Sequence, residues 1–308
     1  MGAHAGMMPG DGVGGRFCPP IFLEESMRIG LGLPISDPVV LLDWARRADA
    51  GPFSTLGLLD RLVYDNPEPL VALSVIAGAT NRVNVQTEVL LAPLRDTTLL
   101  AKQVATLDRM SGGRLVLGLG VGGRADDHLA SGTELRGRGR RMNEQLAQLR
   151  DLWSGEPFGA ECGPIGPAPV RPSGPPILFG GFKPAALERI ARWGDGFLSA
   201  VPPHWAGDLF DSVRKSWHDH GRDGEPRMVA QVNVALGPQR VVDDARAAIG
   251  AYYEFSGWAD NMVSGLRTTP DEIRTTIKQF ADLGADEVML YCYGSDPGQV
   301  DRIADLIG

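Results

Sequence analysis

From Arg28 onward, short apolar runs alternate regularly with helical stripes, and this alternation constrains the chain more than any other feature. Arg28–Leu33 reads as a first strand. Asp37-Pro38 then offers an N-cap with proline at the first helical position, and Leu41, Trp44, Ala45 and Ala48 recur at helical spacing until Gly51. Phe53–Leu59 is a second strand. Asn66-Pro67 opens a second helix with Leu70, Leu73 and Ala77 inward. Arg82–Leu91 is a third strand, and Thr97–Met110 a helix with Leu100, Val104 and Leu107 on one face. Arg114–Gly123 is a fourth apolar run that dissolves into glycine at 118, 120, 122 and 123, and a long helix follows as far as Trp153. Units of this kind, about 30 residues each, predict a parallel sheet with right-handed crossovers.

The period stops between Gly155 and Pro176, where 12 of 22 residues are glycine or proline. This is an excursion too short for a domain, and a candidate cover for the ligand-binding end. Repetition then resumes. Strands are expected at Ile177–Phe179, Gly196–Val201, Met228–Leu236 and Glu287–Cys292, with helices between them. Thr269-Pro270-Asp271-Glu272 has the pattern of a capping box. Eight strand–helix units fit a closed (β/α)8 TIM barrel better than an open sheet. The barrel is assigned to residues 28–308. Residues 1–27 hold six glycines, three prolines and no helical period, and read as a flexible tail. No signal-peptide or myristoylation pattern stands there, and Met27, just before the first strand, is a candidate natural start.

Bulk properties narrow the function. A net charge of −8 argues against nucleic acid or an anionic membrane as the main partner. No apolar run is long enough to span a bilayer. Cys18, Cys162 and Cys292 show neither a disulfide framework nor zinc-ligand spacing, which points to the cytoplasm. No histidine pair has helical metal-site spacing.

Two glycine clusters fall at strand C-termini, where α/β proteins place ligands. Gly118, Gly120 and Gly123 formally match GxGxxG, but the match lies mid-chain and Glu144 lies on a charged helix, against a dinucleotide fold. The glycines then either line a ligand-facing loop or only make a turn. At Gly180-Gly181-Phe182-Lys183 a strand ends and a helix begins. Free amides and the helix dipole there suit a phosphate, although an ordinary turn would look similar.

Leu90-Leu91-Ala92-Pro93-Leu94-Arg95, the block from Leu99 to Leu115, and Gly118–Gly123 together resemble the bacterial luciferase-like flavin oxidoreductases. Arg138-Gly139-Arg140-Arg141 and Gly180-Gly181 with Ala191–Phe197 extend the resemblance, in order, over about residues 28–290. The 99–115 block is its most specific part. The resemblance implies a TIM-barrel enzyme using reduced FMN or the deazaflavin F420. It implies that Thr87, Glu88 and Val89 form a bulge behind the ring, with a non-proline cis bond at Glu88-Val89. It places Gly120, Val121 and Gly122 beside the ring, the phosphate at Gly180, Gly181 and Phe182, and Arg140 nearby.

One departure stands out. Many members carry a histidine after the acid that ends strand two; here the pair is Asp60-Arg61. Arginine cannot act as a neutral base, but it can hold an anion or steady negative charge. The glutamate of the sugar-phosphate-oxidising F420 members is also replaced, by Gly123, which makes a glucose-6-phosphate-type dehydrogenase an unfavoured reading. Asp60, Arg61 and His128 are the catalytic candidates, His128 being a loop residue that could relay a proton or simply sit in solvent. Gln231 and Asn233 share parity on strand seven and can reach ligand or each other; Tyr291 is a mouth or core residue. The expected activity is monooxygenation of a small organic substrate by reduced FMN and O2, with a separate flavin reductase and a homodimeric enzyme. F420-dependent hydride transfer, a cofactor-free barrel using Asp60 and His128, and a non-catalytic partner barrel are the alternatives.

Overall fold

The computed structural model describes residues 27–34 and 37–308. The expected tail therefore lies outside the described residues, except for Met27, which is half-buried against the core.

Strands one to eight are Arg28–Gly32, Thr55–Leu58, Asn84–Thr87, Leu115–Gly120, Ile177–Gly180, Gly196–Ser199, Arg227–Asn233 and Glu287–Tyr291. They pair in the order 3-2-1-8-7-6-5-4, and strand three also pairs with strand four, which closes the ring. Every barrel pairing is parallel. The molecule is thus a (β/α)8 barrel, as its alternation predicts. The main helices are α1 (Leu41–Ala50), α2 (Pro69–Ala79), α3 (Thr97–Met110), α4 (Ala125–Ala130), α5 (Arg138–Trp153) and α6 (Pro184–Trp193). They continue as α7 (Pro203–Asp219), α8 (Gln239–Tyr253), α9 (Ala259–Ser264), α10 (Pro270–Asp282) and α11 (Gly298–Ile307).

Local chemistry sets the element ends. The Thr269 hydroxyl and Glu272 carboxylate form the expected capping box at α10. The second helix starts later than Asn66-Pro67 suggests, because the Glu68 carboxylate accepts the Val71 amide at 2.7 Å and takes the cap. At the base of the barrel, Arg114 donates to the carbonyls of Ala77, Val83 and Ser111, each at 2.8 Å. The most specific block of the family-like sequence therefore ends in a structural clamp, remote from the strand C-termini.

Two expectations are corrected here. Strand three does not run unbroken to Leu91; it stops at Thr87, bulges, and resumes at Leu90–Leu91 beside Leu119 and Gly120. The excursion does not cover the mouth. It joins the C-terminus of α5 to the start of strand five, so topology puts it at the opposite end. It forms a small antiparallel ribbon, Pro157–Gly159 with Cys162–Pro164, and is tied to α3 where Asp108 accepts the Val170 amide at 2.7 Å.

Candidate active site

The bulge after strand three shapes the mouth. The Glu88–Val89 peptide is cis, at the position the resemblance implies. The Thr87 hydroxyl donates to the Gly118 carbonyl at 2.7 Å and lies wholly inside the wall, away from the cavity. A methyl group at Gly118 would stand 2.0 Å from the Thr87 carbonyl oxygen, and one at Gly120 would stand 2.3 Å from Val89 Cγ2. These two glycines are therefore required by the neighbouring bulge. Gly120 lines the cavity as well, so the need for glycine at the bulge stands beside both readings of the loop. In the last turn Gly123 meets nothing within 4 Å, whereas a methyl at Gly122 (φ 72°) would lie 3.2 Å from His128 Nε2.

Above the bulge lies a cavity of about 520 Å³. Glu88, Val89, Gly120, Val121, Gly122, Gly180, Gly181 and Phe182, all expected there, line it. So do Ser199, Val201 and Leu209, and Tyr253 and Met262 from α8 and α9. Ser199 could have been found from its place at a strand C-terminus. Tyr253 and Met262 come from the long segment after strand seven and carried no sequence signal. Gln231 lines the cavity, as its parity allowed, and its amide nitrogen has no protein partner.

At the phosphate corner, α6 begins with Pro184 and has no side-chain cap, so its first amides are not satisfied by a side chain. Gly181 adopts φ 131°, a conformation that favours glycine, and a methyl there would lie 2.9 Å from Ala186 Cβ. The rings of Phe182 and Trp205 lie 5.5 Å apart at this rim, with the Lys183 ammonium 5.3 Å from the Phe182 ring centroid.

Asp60, Arg61 and His128 do not line the cavity; they brace its wall. Asp60 accepts the Leu91 amide at 2.8 Å and Arg95 Nη1 at 2.7 Å, which pins the chain just past the bulge. Arg61 Nε meets Asp127 at 3.1 Å, with both side chains almost fully buried. Its guanidinium lies 5.1 Å from the Tyr64 ring centroid and 5.4 Å from that of Tyr252. Asp127 also accepts the amides of Leu62 and Val63, at 3.1 and 2.7 Å. His128 is on α4, not in an open loop, and is only 1% exposed. Its Nδ1 is 2.9 Å from the Thr133 hydroxyl, and its Nε2, without a protein partner, sits behind Gly122. Burial lowers its pKa below the ordinary value. Arg140 is not brought to the cavity: its side chain is 83% exposed and faces Glu144 at 3.8 Å.

The Glu88 side chain turns down into the barrel, into room left by Gly57, where a methyl would lie 2.7 Å from the carboxyl carbon. Gln86 donates to its Oε1, while Oε2 has no partner. Burial pushes this carboxyl up to about 8. Among the described residues, no cluster of histidine, cysteine, aspartate or glutamate could hold a metal ion, and no helix is long and apolar enough to cross a membrane.

A family model for luciferase-like monooxygenases matches residues 30–289. An uncharacterized protein of Mycobacterium tuberculosis is 30% identical over 170 residues, 53% of this chain. The chain spans about 60% of the length of these first curated relatives. An F420-dependent glucose-6-phosphate dehydrogenase of Nakamurella multipartita is 26% identical, over 84% of this chain and 88% of its own. Among solved structures, an F420-dependent secondary alcohol dehydrogenase bound to an F420–acetone adduct superposes with a TM-score of 0.78 at 17% identity, covering 92% of this chain and 98% of its own. The FMN-bound oxygenating constituent of 3,6-diketocamphane monooxygenase from Pseudomonas putida superposes with a TM-score of 0.71 at 17% identity, covering 92% and 97%. At these identities the superpositions speak for the fold.

Proposed function

Because the chain belongs to the luciferase-like monooxygenase family, we propose that it is an oxidoreductase that seats a phosphate-tailed tricyclic cofactor in the mouth cavity and acts on a small, neutral organic molecule. The observation that carries this reading is one cavity with the bulge as its back wall and the uncapped start of α6 at its edge. The residues present fit such a group. Amides at Gly181 and Phe182, with the α6 dipole, would hold the phosphate. Val89 would back the ring, and Leu198, Val201, Leu209 and Met262 would exclude water from it.

Reduced FMN is the cofactor we propose first; when bound it supplies the electrons that activate O2. A monooxygenase of this kind makes little demand on protein bases, and the site offers few. Asp60 is committed to Arg95 and Leu91, and His128 is screened by Gly122. Among the described residues Glu88 is the only lining residue of charged type, and its free oxygen is buried. That lining supports an uncharged substrate and disfavours a sugar phosphate. F420-dependent hydride transfer is the second reading, favoured by the likeness to F420-dependent enzymes of similar length. A separate flavin reductase would serve the first reading only. The spacing of Cys18, Cys162 and Cys292, with no disulfide framework in the sequence, is what supports a reducing cytoplasm. The charge-free α2, with Val71 and Val75 exposed, supports a homodimer.

The test is a titration of FMN and F420, each oxidised and reduced, against the purified protein. Micromolar binding of reduced FMN alone is the expected result; binding of F420 alone selects the second reading. Reduced FMN must then be oxidised by O2 faster with protein than in buffer. An unchanged rate would make the barrel a non-catalytic partner.

A further inference from the structure

We propose that the Glu88 side chain is a neutral, proton-carrying acid beneath the ring site, kept uncharged so that an electron-rich, negatively charged ring can bind above it. This makes Glu88 a positioning residue and rests on the ring-cofactor reading above.

The barrel makes a place for this acid. Strand register turns Gly57, Gln86, Glu88 and Tyr291 inward, and Gly57 leaves the gap that the carboxyl fills. A carboxylate at such depth needs a cation or several donors. Among the described residues no cation is bonded to it, and Arg227 acts on it only through space. The guanidinium of Arg227, on strand seven, is bound to Glu287, on strand eight. Glu287 itself lies deeper in the barrel and repels a second negative charge. The donors fall short as well. Gln86 serves Oε1 only, Oε2 has none, and the Tyr291 hydroxyl faces Glu88 without an aligned bond. Protonation resolves all three, because the acid then brings its own donor and carries no charge. The groups that bear on its ionisation are thus Gln86, Tyr291, Glu287 and Arg227, and strand two contributes only Gly57.

The consequence is a sign. Below its pKa Glu88 is neutral, and an anionic reduced ring meets no like charge from below. Above it, the carboxylate repels that ring. An oxidised, neutral ring is far less sensitive. Linkage makes this reciprocal: a bound anionic ring holds the proton on Glu88 to higher pH.

Two measurements test this. Infrared spectroscopy of the purified protein follows the protonated carboxyl band between about pH 6 and about pH 9.5, around the expected titration. A band present at neutral pH, lost on alkalinisation and missing in Glu88→Gln is expected; its absence at neutral pH overturns the proposal, whatever the protein binds. Tyr291→Phe, which should shift the midpoint without removing the band, serves if Glu88→Gln fails to fold. The second measurement is anaerobic binding of reduced and oxidised FMN and F420 across the same range. Affinity for the reduced ring should fall about tenfold, the equivalent of one unit of coupling, and stay flat in Glu88→Gln. Equal pH dependence in wild type and variant overturns the coupling. Failure of both cofactors to bind at any pH, with the infrared band intact, overturns the ring-cofactor reading and the coupling with it, and leaves only the neutral acid standing.

Discussion

Glu88 and His128 are buried ionisable residues whose effects on stability run in opposite directions with pH. The carboxyl of Glu88 is raised to about 8, so between its unfolded value and that point the native state holds a proton the unfolded chain has released. Stability must fall as pH rises through that window. Glu88→Gln removes the loss, and should be more stable than wild type at pH 8 by about 3 kcal/mol more than at pH 5, measured by urea unfolding at both. His128 is lowered by burial, so the unfolded chain takes up a proton first as pH falls. Its contribution is complete above about pH 6.5 and lost on acidification below it. His128→Gln should therefore flatten the acid limb of the melting-temperature profile. The glycines offer a contrast free of titration. Gly118→Ala drives a methyl into the Thr87 carbonyl and should cost about 1–3 kcal/mol. Gly123→Ala meets nothing within 4 Å and should stay within about 0.5 kcal/mol of wild type.

Between elements, the buried Arg61–Asp127 pair is the main brace of the mouth. Asp127 joins α4 to the loop after strand two through one ion pair and two amides. Asp127→Ala would leave a buried guanidinium without its counter-ion, at a cost of about 3–5 kcal/mol in the unfolding free energy measured with urea. A loss below 1 kcal/mol would show that water reaches Arg61. This pair also marks where the sequence stopped being legible. Asp60-Arg61 stood out as a departure at a strand end, and the charge chemistry of arginine was readable. Its partner 66 residues away was not, because nothing local announces a tertiary ion pair. The same division recurs elsewhere. Caps, stripes and strand order rest on short-range chemistry, and Thr269–Glu272 and α3 stand where their residues put them. The partner that fills the space beside Gly118 and Gly120, and the end of the barrel where the excursion packs, depend on contacts between distant segments. Glycine says that room is needed; it does not say whether a ligand or the chain's own bulge takes it.

At the scale of the whole molecule, α2 is the element left least explained by a monomer. Pro69–Ala79 contains no charged residue, yet the helix lies on the outside of the barrel. A surface helix should carry a polar outer face. Here Val71 and Val75, one turn apart, are 63% and 54% exposed, and Leu99, near the start of the adjoining α3, is 55% exposed. Scattered apolar residues are ordinary on a surface, but a charge-free helix presenting two on one face needs a cover. A second copy of the same face, related by a two-fold axis, is self-complementary and closes without leaving an edge. The proposed homodimer therefore predicts twice the chain mass by light scattering at tens of micromolar protein. Val75→Glu should halve that mass while the far-ultraviolet circular dichroism stays unchanged, because Val75 contributes little to the barrel's own core. A wild-type protein already monomeric at that concentration would leave α2 exposed in solution and remove the dimer from the proposal.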